Sequence, residues 1–152
     1  MQVSRIRALR GPNLWSRHTA IEAIISCPES ERVLASSLEQ QLRLTFPAVG
    51  PIDCGRGQQV SMAHALEKVT LALQTQAGCP VTFSRTTPTE EAGTYQVVVE
   101  YTEEPVGRLA LELAEKLCLA VLAGEGFDVE GAIAQLHELD EDVRLGPSTG
   151  CI

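Results

Sequence analysis

Thr94-Tyr95-Gln96-Val97-Val98-Val99-Glu100-Tyr101 decides the fold. Three valines between two tyrosines suit a pleated, half-buried strand, and Gly93 just before them marks a turn. Upstream, Val81-Thr82-Phe83 reads as a second strand. The polar loop from Thr87 to Gly93 is short enough to join the two as an antiparallel hairpin with a long tip. Downstream, a helix from Glu104 to Ala123 carries Val106, Leu109, Ala110, Leu113, Leu117, Cys118 and Val121 over more than half its circumference, so it must lie between a sheet and another layer.

Working outward, Gln59 to Ala77 places Met62, Leu66, Val69 and Leu73 on one helical face, with Gly78 past its end as a C-cap. Asp128 caps a last helix that turns Val129, Ala132, Ile133, Leu136 and Leu139 inward. A further helix is expected from Pro28 to Pro47, with Leu34, Leu38, Gln41, Leu42 and Leu44 on its apolar side. Val3 to Leu9 suits a short edge strand, closed by Gly11-Pro12-Asn13, and the isoleucines of Ala20 to Ile25 favour another strand. The expected class is α+β, a mixed or antiparallel sheet of about four strands covered by about four helices.

The chain has 152 residues, one ordinary domain by length, with 44% hydrophobic and 21% charged residues, the balance of a folded chain. Aromatic residues make up 4% and the net charge is −8, so neither base stacking nor attraction to phosphate or an anionic bilayer is expected. No nucleic-acid or membrane partner follows. The start Met1-Gln2-Val3-Ser4-Arg5-Ile6-Arg7 has no apolar signal region, and the longest apolar run, Leu117 to Ala123, is far below a membrane span, so the chain reads as cytosolic. Five widely spaced cysteines, Cys27, Cys54, Cys79, Cys118 and Cys151, form no C-x-x-C pair and read as reduced, mostly buried residues. Charge is polarised: nine bases and six acids precede Glu90, whereas three bases and fourteen acids follow from it onward.

His64, Glu67 and Lys68 share one helical face by their i, i+3, i+4 spacing, away from Met62, Leu66 and Val69. Histidine at position 68 would complete H-x-x-E-H, in which two imidazoles hold zinc and the glutamate acts as general base. The Lys68 ammonium removes one ligand and repels a cation. The pair otherwise reads as an ordinary solvated couple. Asp53-Cys54-Gly55-Arg56-Gly57 could offer backbone N–H groups and the Arg56 guanidinium to a carboxylate, or serve as a tight turn. Arg85 follows a strand and could stand at a sheet edge. His18 and His137 have no close partners of ligand type. No G-x-S-x-G, P-loop or G-x-G-x-x-G is present, so nucleophilic hydrolysis and nucleotide binding have no signal.

Leu9-Arg10-Gly11-Pro12-Asn13-Leu14-Trp15-Ser16, Ala77-Gly78-Cys79-Pro80-Val81 and Tyr95 to Tyr101 together resemble the N-terminal domain of cyanophycin synthetases. Leu145-Gly146-Pro147-Ser148-Thr149 resembles the junction to that enzyme's ATP-grasp domain, so residues 1–143 are expected to be the domain and 144–152 the start of a linker in a longer protein. The resemblance implies an ATP-dependent ligase that builds cyanophycin, a poly-aspartate chain bearing arginine on each side chain. ATP and magnesium would belong to the ligase domains outside this sequence; no cofactor is implied for this one. Its implied partners are the cyanophycin polymer, the ligase domains of the same chain and, in the full-length protein, further copies of itself.

Some members are also implied to carry a metallopeptidase-like site, with H-x-x-E-H, a further glutamate and a histidine where this chain has Lys68, Ala72 and Asp53. Three changes leave too few ligands for catalytic zinc. The expected site is therefore degenerate and non-catalytic, comprising Asp53, His64, Glu67, Lys68 and Ala72. Polymer contacts are expected at Arg56, His64, Glu67, Lys68 and Arg85. Two alternatives stand beside this reading: a metal-dependent cyanophycin hydrolase using Asp53, His64 and Glu67, and a structural docking or oligomerisation module presenting the helix from Glu104 to Ala123.

Overall fold

A computed structural model describes residues 1–9, 19–27, 33–49 and 59–145. In chain order its elements are β1 (Gln2–Leu9), β2 (Ala20–Ser26), β3 (Val33–Leu34), α1 (Ala35–Thr45), β4 (Gln59–Val60), α2 (Met62–Gln76), β5 (Ser84–Pro88), β6 (Thr94–Glu100), α3 (Glu104–Ala123) and α4 (Val129–Leu145). Strands β1, β2, β6 and β5 form an antiparallel sheet in that spatial order, and β3 and β4 form a separate two-stranded ladder. The α+β class is as the sequence implies, and the sheet is antiparallel.

The helices layer behind the sheet. Helix α2 packs on β5 and β6 and against α3; α3 reaches β2; α4 packs on α3 and α2. One continuous core joins Ile21, Ala23 and Ile25 of β2, Val97 and Val99 of β6, Leu66, Val69 and Leu73 of α2, and Val106, Ala110, Leu113, Leu117 and Cys118 of α3. From α4, Ala132 and Leu136 close it. Among the described residues Cys27, Cys79 and Cys118 form no disulfide and are buried, as expected of small apolar residues. Cys54 and Cys151 lie outside the described residues. Among the described residues no helix is long and apolar enough to cross a membrane.

Three boundaries differ from the sequence reading. Residues 81–83 are not a strand: the Thr82 and Phe83 amides donate to Glu100 Oε1 at 2.8 and 3.0 Å, and the ladder to β6 begins only at Ser84, opposite Val99. The buried Glu100 carboxylate has taken the Phe83 amide that a strand would have spent on β6, while the Glu100 amide donates to the Phe83 carbonyl at 2.9 Å. Helix α2 starts at Met62, because Gln59 and Val60 pair with Leu34 and Val33. That same pairing delays α1 to Ala35, where Leu42 is fully buried but Leu44 is 84% exposed. The proposed helix residues 28–32 lie outside the described residues.

Candidate functional site

Ser61 precedes α2 in an extended conformation, and His64, at the third helical position, folds back toward it. The Ser61 amide donates to His64 Nδ1 at 3.3 Å, and the Ser61 hydroxyl lies 3.0 Å from the same nitrogen. An amide can only donate, so Nδ1 accepts and the neutral ring carries its proton on Nε2. The imidazole also meets the Tyr95 ring edge-on, centroids 5.6 Å apart. Burial lowers the His64 pKa from its usual 6.5, against the opposing pull of the Glu67 carboxylate.

One turn further along, Glu67 is buried, 5% exposed, between α2 and β5. It is not the solvated member of a surface couple. Ser84 Oγ donates to Oε2 at 2.5 Å, Thr86 Oγ1 donates to Oε1 at 2.7 Å, and Lys68 Nζ lies 3.2 Å from Oε2. A buried carboxylate is tolerated when it is paired and hydrogen-bonded in this way. Lys68 keeps about a third of its side chain in solvent. Ala72 offers only a methyl, packed against the core.

Ser84 and Thr86 point toward α2, so Arg85 between them points to the opposite face of the sheet. The strand registers align Arg85 with Val98, Glu22 and Arg7 in one row across four strands. In that row the buried Glu22 accepts from Arg7 Nε at 2.7 Å and Nη2 at 3.3 Å, and from Gln96 Nε2 at 2.6 Å. Arg5 stands on the same outer face, opposite Ile24. Thus His64, Glu67 and Lys68 come together, and Arg85 joins a different, outer patch. Asp53, Arg56 and His18 lie outside the described residues. Among the described residues no group of three His, Cys, Asp or Glu could hold a metal ion. His137, read as lacking ligand-type partners, has its Nε2 2.8 Å from Glu141 Oε1 and its Nδ1 3.1 Å from the Ala77 carbonyl. It ties α4 to the end of α2.

Sequence reasoning missed Ser61, Ser84, Thr86 and Tyr95. The signal for Ser84 and Thr86 was their i, i+2 spacing, which puts both on one face of a strand once the strand is placed at 84–88 rather than 81–83.

The family described as cyanophycin synthase-like N-terminal domain matches residues 33–123. This chain belongs to that family. Relatives described as cyanophycin synthetase include one from Trichormus variabilis, 34% identical over 173 aligned positions, and one from Geminocystis herdmanii, 31% identical over 171. A third, from Synechocystis, is 29% identical over 170. Each alignment takes in the whole of this chain but only 19–20% of the relative, so the chain spans about a fifth of their length.

Proposed function

We propose that this cyanophycin synthetase N-terminal domain holds the polymer close to ligase sites elsewhere in a longer protein and does not hydrolyse it. The observation that carries the reading is the buried Glu67 carboxylate, both oxygens of which already have partners. A general base must present a lone pair to water. Here Ser84, Thr86 and the Lys68 ammonium engage both oxygens. His64 fits a metal equally poorly. A ligating Nε2 needs its lone pair free, whereas the contact with the Ser61 amide leaves the ring proton on Nε2. Of the described residues, His64 and Glu67 therefore do not suit zinc.

The holding role is supported by the outer sheet face. Arg5 and Arg85 are exposed there, beside the Arg7–Glu22–Gln96 cluster. Guanidinium groups can take the carboxylates of a zwitterionic polymer by charge-assisted hydrogen bonds, and the strongly acidic second half of the chain suits its arginine tips. The test is co-sedimentation with cyanophycin granules, run beside an assay for released aspartate–arginine dipeptide with zinc or with chelator. The expected result is retention on granules, lost in high salt, with no dipeptide under either condition. Zinc-dependent dipeptide release would establish the hydrolase instead.

A further inference from the structure

Strand β1 is an edge of the sheet, eight residues long, and among the described residues no strand pairs with its outer side. Such an edge is a template for another strand. Its helix-facing residues Val3 and Ile6 open onto a groove of about 290 Å³ shared with Arg108, Leu111, Glu112 and Glu115 of α3. Ile6 is 39% exposed, a large apolar side chain left at an open edge. Around the groove Arg108 is held by Glu104 at 3.0 Å and Glu112 lies 3.7 Å from Lys116, while Glu115 has no cationic partner among the described residues. On the outer face Arg7 is committed to Glu22, and Arg5 has no acidic partner among the described residues.

We propose that the β1 edge is a docking site for an extended peptide segment of a protein partner, added as a fifth strand. Alternation in a strand fixes the chemistry of the occupant. Side chains over the groove are apolar, with one cation reaching Glu115; side chains on the other face are carboxylates that meet Arg5. The same charges disfavour a second copy of β1. Antiparallel self-pairing centred on Arg5, Ile6 or Arg7 sets arginine opposite arginine, which destabilises a cross-strand pair.

The site is tested with the whole chain and a labelled probe, Glu-Val-Glu-Val-Glu-Lys-Glu, by fluorescence anisotropy, with amide hydrogen exchange as a second readout. Binding should saturate, and the variants R5E and I6D should each weaken it about tenfold. The charge-swapped probe Lys-Val-Lys-Val-Lys-Glu-Lys should not bind, and new amide protection should fall on β1. Equal binding of the two probes, protection that spares β1, or no binding at all overturns the proposal. So does sedimentation showing that β1 pairs with a second copy.

Discussion

Glu67 concentrates the physics of the candidate site in one side chain. Removing its charge while keeping its shape, Glu67→Gln, leaves Lys68 without its anion and sets an amide N–H₂ against two hydroxyl donors. Such a change at a buried acceptor costs about 1–3 kcal/mol, readable as a lower denaturant midpoint at unchanged slope. His64 makes a second prediction. Its pKa is lowered by burial, so the unfolded chain binds a proton before the folded one does. Stability contributed by neutral His64 is present above the usual imidazole value and is lost as pH falls through it toward the folded pKa. An NMR titration should give His64 a midpoint below 6.5, and His64→Gln should flatten the stability slope in that window; a midpoint at or above 6.5 contradicts the burial argument. At this scale the helical spacing of His64, Glu67 and Lys68 was legible in the sequence. Their partners were not, because Ser84 and Thr86 belong to another element whose register had to be known first.

Among the elements, α3 shows how tightly a helix can be seated. A Cβ on Gly107 would lie 2.7 Å from Tyr101 Cβ, so α3 can start only where glycine faces the end of β6. Gly107→Ala should cost about 1–3 kcal/mol by overpacking, measured by thermal or denaturant unfolding. The relief expected from the double variant carrying Tyr101→Gly as well, which removes the Cβ that alanine would keep, separates this clash from helix propensity, which alone would favour alanine. The long elements were legible from periodicity and caps: β6, β2, β1, α3 and α4 stand where their apolar patterns put them. The two-residue strands β3 and β4 were not, since two residues carry no period, yet their pairing trims both α1 and α2. The strand expected at residues 81–83 slipped because Glu100, a long-range partner, captured its amides.

Across the molecule, among the described residues, part of the sequence's charge division is also a division in space. Arginines 5, 7 and 85 collect on the outer sheet face, while the acids of α3 and α4 lie in the helical layers. Neutralising Arg5 and Arg85 together should weaken polymer retention and reduce its salt dependence, whereas Lys116→Ala, on an exposed helix face, should leave it unchanged. The proposed role of this domain is to hold the polymer by charge, without a metal. It is tested most directly by calorimetric titration of the chain with short cyanophycin segments at low and moderate salt, in the presence of chelator. Binding should saturate and weaken as salt rises; the absence of saturation at either salt, or binding that requires added zinc, would contradict a holding role by charge.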